Sequence, residues 1–393
     1  MNTRPPLENP SPIAVLSITF NDDCSCFAVG LNTGFCIFHS DSCSIRTIRD
    51  FNAGIGLVQM MGKANYVGLV GGGKQPKFAG NKLIIWDDLK SKAAMEISCL
   101  TPVRGVQLAK ERIVAVLQNS VRVYKFAKPP HFIAAYETAN NPWGVCCLSP
   151  RHIAFPGRTT GHVQLVEIDT GNVSIIPAHS SALRTIQLSQ DGELLATASE
   201  TGTLIRVFST SSCARITEVR RGMDHATIFS LAFNPSGTLL ACTSDKSTLH
   251  IFDVPHTKPT HQQQPPPQQQ QLYQQQTGGT TATATGGADK NATTPPEAES
   301  KGKWGMLSKI PLMPRVFSDI YSFASVRFEA GDESLVGGLP MSESTTLGTS
   351  RPPKGVTGWL NDNALLVIGA GKDARWEKFV MVMEGWKRYL PTD

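Results

Sequence analysis

Arg220 and Arg221 stand side by side, followed at once by Gly222, at the end of a segment that reads as a β-strand. A guanidinium is a planar, permanently charged fork of donors that matches phosphate oxygens in pairs. Neighbouring side chains on a strand project to opposite faces, so a tandem pair cannot serve one pocket and instead offers one fork to each of two. A solvated strand end would account for an isolated pair of arginines equally well, so the surroundings decide, and they are duplicated. One turn carries Ser199, Thr201, Thr203 and Arg206; the next carries Ser244, Lys246, Thr248 and His250. His179 lies ahead of the first, and His225 with Thr227 lies ahead of the second, directly after the arginines. Each repeat therefore supplies histidine, hydroxyls and a cation, with one arginine of the pair for each. Those are the donors a phosphorylated inositol ring requires.

The bulk numbers restrict the alternatives. The chain has 393 residues, 40% hydrophobic and 18% charged, with a formal charge of +5. Glu200, Glu218, Asp224 and Asp245 are interspersed with Arg206, Arg215, Arg220, Arg221 and Lys246. That mixture suits discrete pockets rather than the broad basic stripe a nucleic-acid backbone prefers, so no nucleic-acid partner is expected. Nine cysteines, an odd number, show no zinc-knuckle spacing and mostly lie in apolar strand patterns; no metal and no cofactor are expected, and a reducing cytoplasmic setting fits. No stretch approaches the ~18 apolar residues of a transmembrane segment, so membrane contact must be peripheral. Gly68–Gly73 with Lys74 and Gln75 nearly matches a nucleotide-binding loop, but Gln75 replaces the Ser/Thr that would hold magnesium, and a strand, Lys82–Asp87, follows where a helix is required. No nucleophile–base–orienter set emerges, and the chain is not expected to be an enzyme.

The elements that must position the arginines are repeats. TIQLSQDGELLATAS from Thr185 to Ser199, continued by TLIRVF from Thr203, lines up with SLAFNPSGTLLACTS from Ser230 to Ser244, continued by TLHIF from Thr248. Leu188 matches Phe233, a shift of 45 residues, and a third copy opens at Ser17. A period of about 40–45 residues with several strands per unit is the signature of a β-propeller. Further blades fall over Gly56–Cys99, Val103–Tyr136 and Val145–Ile176, with a degenerate last blade between Ser325 and Met383. The expectation is an all-β, seven-bladed, WD40-like propeller of residues 1–254 and 304–393, with the first strand completing the last blade. A Gln/Pro/Thr/Gly-rich insertion, 255–303, has little to bury and is expected to be disordered within blade six. A second polar loop, Gly338–Gly355, is expected inside the last blade. The end of the long insertion is apolar and flanked by lysines: Trp304, Met306, Leu307, Ile310 and Leu312 read as a membrane-insertion loop, or as residues that pack against the propeller side.

With these residues in hand, the chain resembles the PROPPIN family, the WIPI-type phosphoinositide-binding propellers. ATASETGTLIRVF from Ala196 to Phe208, EVRRG from Glu218 to Gly222 and Ser244-Asp245-Lys246 carry the likeness. LVGGGKQPKF from Leu69 to Phe78 and NKLIIWDDLK from Asn81 to Lys90 are similar to the branch of the third human WIPI protein and its fungal SVP-like counterparts. The resemblance implies a peripheral membrane adaptor in autophagy and vacuolar or endosomal traffic that binds phosphatidylinositol 3-phosphate and phosphatidylinositol 3,5-bisphosphate at two sites. It implies a first site of His179, Ser199, Thr201, Thr203, Arg206 and Arg220, and a second of Arg221, His225, Thr227, Ser244, Lys246 and Thr248. An autophagy lipid-transfer protein is the protein partner it suggests, with Gly71–Asp88 as the surface, and vacuolar, endosomal or pre-autophagosomal membranes are the expected location. The alternative is a WD40 protein-interaction scaffold with no lipid ligand.

Overall fold

The computed structural model describes residues 13–255, 320–328, 355–369, 375–382 and 385–389. Short apolar strands separated by polar turns cannot bury themselves singly, and here they assemble as seven sheets. Blade one holds β1 (Val15–Phe20), β2 (Cys26–Leu31), β3 (Gly34–His39) and β4 (Ile45–Asp50). Blade two holds β5 (Ile55–Met60), β6 (Tyr66–Gly71), β7 (Lys82–Asp87) and β8 (Lys92–Ser98). Blade three runs through β9 (Gly105–Ala109), β10 (Arg112–Val116), β11 (Ser120–Lys125) and β12 (His131–Glu137). Blade four runs through β13 (Cys147–Leu148), β14 (His152–Pro156), β15 (His162–Glu167) and β16 (Val173–Pro177). Blade five contains β17 (Leu183–Leu188), β18 (Leu194–Ser199), β19 (Leu204–Ser209) and β20 (Arg215–Arg220). Blade six contains β21 (Ile228–Phe233), β22 (Leu239–Ser244) and β23 (Thr248–Asp253). After the long insertion come β24 (Ile320–Tyr321) and β25 (Ala324–Arg327), and blade seven is β26 (Val356–Asn361), β27 (Ala364–Gly369), β28 (Arg375–Val382) and β29 (Gly385–Tyr389).

Burial explains the composition of each strand. Second strands are covered on both faces, and these two join a pair of leucines to a run of small residues: β18 is LLATAS and β22 is LLACTS, buried along nearly their whole length. Ala196 and Ala198 let blade six approach closely, and Leu231, Phe233, Leu240 and Phe252 fill the seam against Ile205, Val207 and Val219. Each such Leu or Phe contributes on the order of 2 kcal/mol of burial free energy. Outer strands alternate, as in β20, where Thr217 and Val219 are buried while Glu218 and Arg220 are half-buried.

Three expectations are corrected. The first strand does not complete the last blade: β1 pairs with β2 inside blade one, because β26 supplies blade seven with an inner strand of its own. Ring closure is made by side chains instead, with Trp376 Nε1 donating to Ser40 O at 3.1 Å and Ile18, Phe27 and Val29 packing on Ile368. The last blade does not begin at Ser325 either. Residues Ala324–Arg327 form the outer strand of blade six, paired with β23, since the insertion falls between that blade's third and fourth strands. The polar stretch Gly338–Gly355 consequently joins blade six to blade seven rather than interrupting the last blade. An unanticipated fifth strand, β24, adds in parallel to β20, with Val219 opposite Ile320 and Arg220 opposite Tyr321. The 255–303 insertion, beyond its first residue, and Trp304, Met306, Leu307, Ile310 and Leu312 lie outside the described residues.

Candidate phosphate-binding clefts

The hairpins that carry the hydroxyls are built alike. The turn joining β18 to β19 closes with Gly202 N donating to Ser199 O at 3.0 Å, and the turn joining β22 to β23 closes with Ser247 N donating to Ser244 O at 3.0 Å. Both closing residues adopt left-handed backbone, φ +63° at Gly202 and +54° at Ser247. Glycine enters that region without a steric penalty, whereas serine does so at a cost. Ser199 and Ser244 are almost wholly buried and act within the turns: Ser199 Oγ lies 2.9 Å from Thr201 Oγ1, and Ser244 Oγ accepts from the Lys246 backbone N at 3.4 Å. Thr203 and Thr248 are half-buried, while Thr201, His225 and Lys246 are exposed. Thr227 is half-buried, and its carbonyl accepts from Asp245 N.

Between blades four and five the structure brings together His179, Thr197 and Arg206. His179 Nε2 lies 3.0 Å from Thr197 Oγ1, and Thr197 is the cross-strand partner of Arg206. Arg206 donates Nε to Glu218 Oε2 at 2.6 Å and a terminal nitrogen to the Ala178 carbonyl. Arg215 also reaches Glu218, at 2.9 Å. Arg206 is therefore paired inside the protein with a carboxylate that it shares with Arg215, which makes it a positioning residue as much as a phosphate donor. Burial, seconded by the Arg206 charge, holds the His179 imidazole down at about 4, so it is neutral near pH 7. Arg220, the last residue of β20, is half-buried opposite Leu204 and Tyr321.

The seam between blades five and six is built around Arg221. Its side chain is only 8% exposed, its Nε donates to Gly202 O at 2.9 Å, and a terminal nitrogen donates to Asp224 O at 2.5 Å. Carbonyls fix the fork without cancelling its charge, unlike the carboxylate on Arg206. The imidazole of His250 feels that charge; burial first and Arg221 second bring it down to about 4. His250 bridges two hydroxyls, Thr248 Oγ1 at 3.0 Å and Ser322 Oγ at 3.0 Å. Cys242, its cross-strand partner, is fully buried, and burial pushes its thiol up to about 12.

Sequence reasoning named the arginines and hydroxyls and noted His250 on the second turn without assigning it to a site; Thr197, Glu218 and Ser322 were not assigned either. One signal was present: Arg206 and His250 occupy matching places in the two repeats, once a one-residue difference in spacing is allowed. Glu218 and Ser322 needed the strand register and the chain path after the insertion.

The family model described as PROPPIN matches residues 14–273 of this chain. The chain belongs to the PROPPIN family. SVP1-like protein 2 of Neurospora crassa is 52% identical over 429 residues, spanning 99% of this chain and 99% of that protein. Its counterpart in Emericella nidulans is 52% identical over 341 residues, covering 84% of this chain and 99% of that one. Among solved structures, Kluyveromyces lactis Hsv2 superposes with a TM-score of 0.69 at 20% identity, over 97% of this chain and 98% of the other. A complex of KlAtg21 with the coiled coil of AgAtg16 gives 0.61 at 17% identity, over 96% and 98% of the two chains. These likenesses carry the propeller fold. PROPPINs are phosphoinositide-binding propellers of autophagy, and the family is not a catalytic one.

Proposed function

We propose that this PROPPIN is a peripheral membrane adaptor that takes one phosphoinositide headgroup in each cleft, with phosphatidylinositol 3-phosphate and phosphatidylinositol 3,5-bisphosphate as the lipids, in autophagy and vacuolar or endosomal traffic. The observation that carries the reading is Arg221: a nearly buried guanidinium held, among the described residues, by two backbone carbonyls, with the charge felt by the His250 imidazole that meets Thr248. A fixed charge kept clear of carboxylates is what an incoming phosphate needs. Arg220 and the His179–Arg206 group serve the neighbouring cleft. Exposed Met223 follows the arginine pair and exposed Ile320 and Tyr321 pair with its strand, while exposed Phe323 comes two residues later with its N–H donating to Ile251 O; these side chains suit the interfacial layer of a bilayer. Among the described residues no helix is long and apolar enough to cross a membrane.

The adaptor reading also calls for a protein partner. An autophagy lipid-transfer protein would meet the loop from β6 to β7, where Lys74, Gln75, Pro76 and Lys77 are exposed. KlAtg21, a propeller of similar fold, is solved in complex with the coiled coil of AgAtg16, which supports a protein partner in general rather than this class of partner or this surface. Co-sedimentation with vesicles of matched charge tests the lipid reading. Vesicles with phosphatidylinositol 3-phosphate should retain the protein at least roughly tenfold better than phosphatidylserine vesicles of equal charge, since two weak sites on one body gain by effective concentration. Equal retention on both would favour the protein scaffold without a lipid ligand.

A further inference from the structure

The two clefts hold the same pair of groups with their places exchanged. The backbone N–H of His179 donates to Gly161 O at 2.9 Å, and that of Arg221 donates to Thr203 O at 2.9 Å. Each of those carbonyls belongs to the residue just ahead of a third strand, β15 or β19, so His179 and Arg221 occupy matching links between blades. On the third strands, Arg206 lies opposite Thr197 and His250 lies opposite Cys242, again matching places. One cleft thus has its imidazole on the link and its guanidinium on the strand; the other has the reverse. Each arrangement sets a neutral imidazole beside a fixed cation.

We propose that headgroup capture in these clefts is coupled to proton uptake at His179 and His250, so that attachment to the membrane tightens as the surroundings acidify. This rests on the phosphoinositide reading above. His179 is faced by Thr197 from β18, Arg206 from β19 and Glu218 from β20, with Arg215 on the far side of Glu218. His250 is faced by Cys242 from β22, Arg221 from the link after β20, Thr248 on its own strand and Ser322 after β24, with Phe252 stacked at 6.3 Å. Burial first and the facing arginine second suppress the charged imidazole. A phosphate bearing close to two negative charges reverses the second influence and offsets the first. The protonated ring then has a donor on each nitrogen, and in the cleft shared with Glu218 it supplies the positive charge that Arg206 does not.

The direction follows from linkage. The bound state holds more protons than the empty state between about pH 6.5 and 4, so affinity rises as pH falls through that window. A headgroup that returns each imidazole to its ordinary value of about 6.5 tightens binding roughly fourfold per cleft between pH 7.5 and 6.0. The headgroup's own second ionisation, near 6, works the other way, so the histidine share must be separated from it.

Calorimetry with the soluble headgroup inositol 1,3-bisphosphate, repeated in buffers of different ionisation enthalpy at pH 7.5 and 6.0, makes the separation. The full chain is compared with His179→Gln, His250→Gln and the double variant, in which the amide still donates a hydrogen bond but does not titrate. The unaltered protein should take up more protons than the double variant at pH 6.0, and its affinity should gain several-fold on the variant's between the two pH values; each single change should remove part of the difference. Identical proton uptake and identical pH slopes, with binding retained, would overturn the coupling and leave the lipid reading standing. No headgroup binding by the unaltered chain at either pH would overturn both.

Discussion

Alanine at both Arg220 and Arg221 should lower retention on phosphatidylinositol 3-phosphate vesicles by roughly 100-fold or more, to the level of vesicles without phosphoinositide, because both sites and the gain from linking them disappear together. Arg220→Ala alone should keep one cleft and lose chiefly that gain. Arg221 has a second duty, since its side chain satisfies Gly202 O and Asp224 O in a place almost closed to water. Arg221→Ala should therefore also cost about 3 kcal/mol of folding stability. Thermal unfolding must accompany the binding measurement. Arg221→Lys, which keeps the charge on a narrower donor, should recover part of the stability and little of the affinity. A double alanine variant that stays folded and still sediments with phosphoinositide vesicles would contradict the assignment of both arginines.

Gly202→Ala should damage both clefts without touching a single charged group. Gly202 sits in left-handed backbone, φ +63°, and a Cβ there would fall on the carbonyl oxygen of Ala226. Its own carbonyl is the acceptor that orients Arg221, and its turn carries Ser199, Thr201 and Thr203. The substitution should cost about 3 kcal/mol or more and weaken headgroup binding in parallel. Gly171→Ala is the matched control: φ is +72°, but nothing lies within 4 Å of the added carbon. Its cost should be about 1 kcal/mol, with binding intact. If Gly202→Ala bound as the unaltered chain does, the turn would not be what aims the arginine.

Much of this was readable from residues alone, and the parts that were not share a cause. Repeats are legible because each blade must solve the same burial problem, so Ala196–Ser199 and Ala241–Ser244 resemble one another wherever the blades meet. The hydroxyl turns are legible because Ser199, Thr201 and Thr203 recur at fixed distance as Ser244, Lys246 and Thr248. What lies between chain segments is not. Glu218 reaches Arg206 only because the register of β19 and β20 sets them opposite each other, and a bulge in that hairpin shifts the register within it. Ser322 reaches His250 across 72 residues of sequence, over an insertion whose exit point no local pattern announces. The outer strand of blade six is four residues long and the strand on β20 only two, too short to show a period. Expecting β1 to close the ring was reasonable for a propeller, but VTGWLN at Val356–Asn361 had already filled the seventh inner position.

Twin clefts, one arginine of the Arg220–Arg221 pair to each, are the claim on which the functional account depends, and counting headgroups tests it most directly. Titration of the full chain with inositol 1,3-bisphosphate should saturate at two per protein, and Arg220→Ala should leave one, at the cleft that Arg221 organises. Saturation at a single headgroup by the unaltered chain, or the same count after Arg220→Ala, would contradict it.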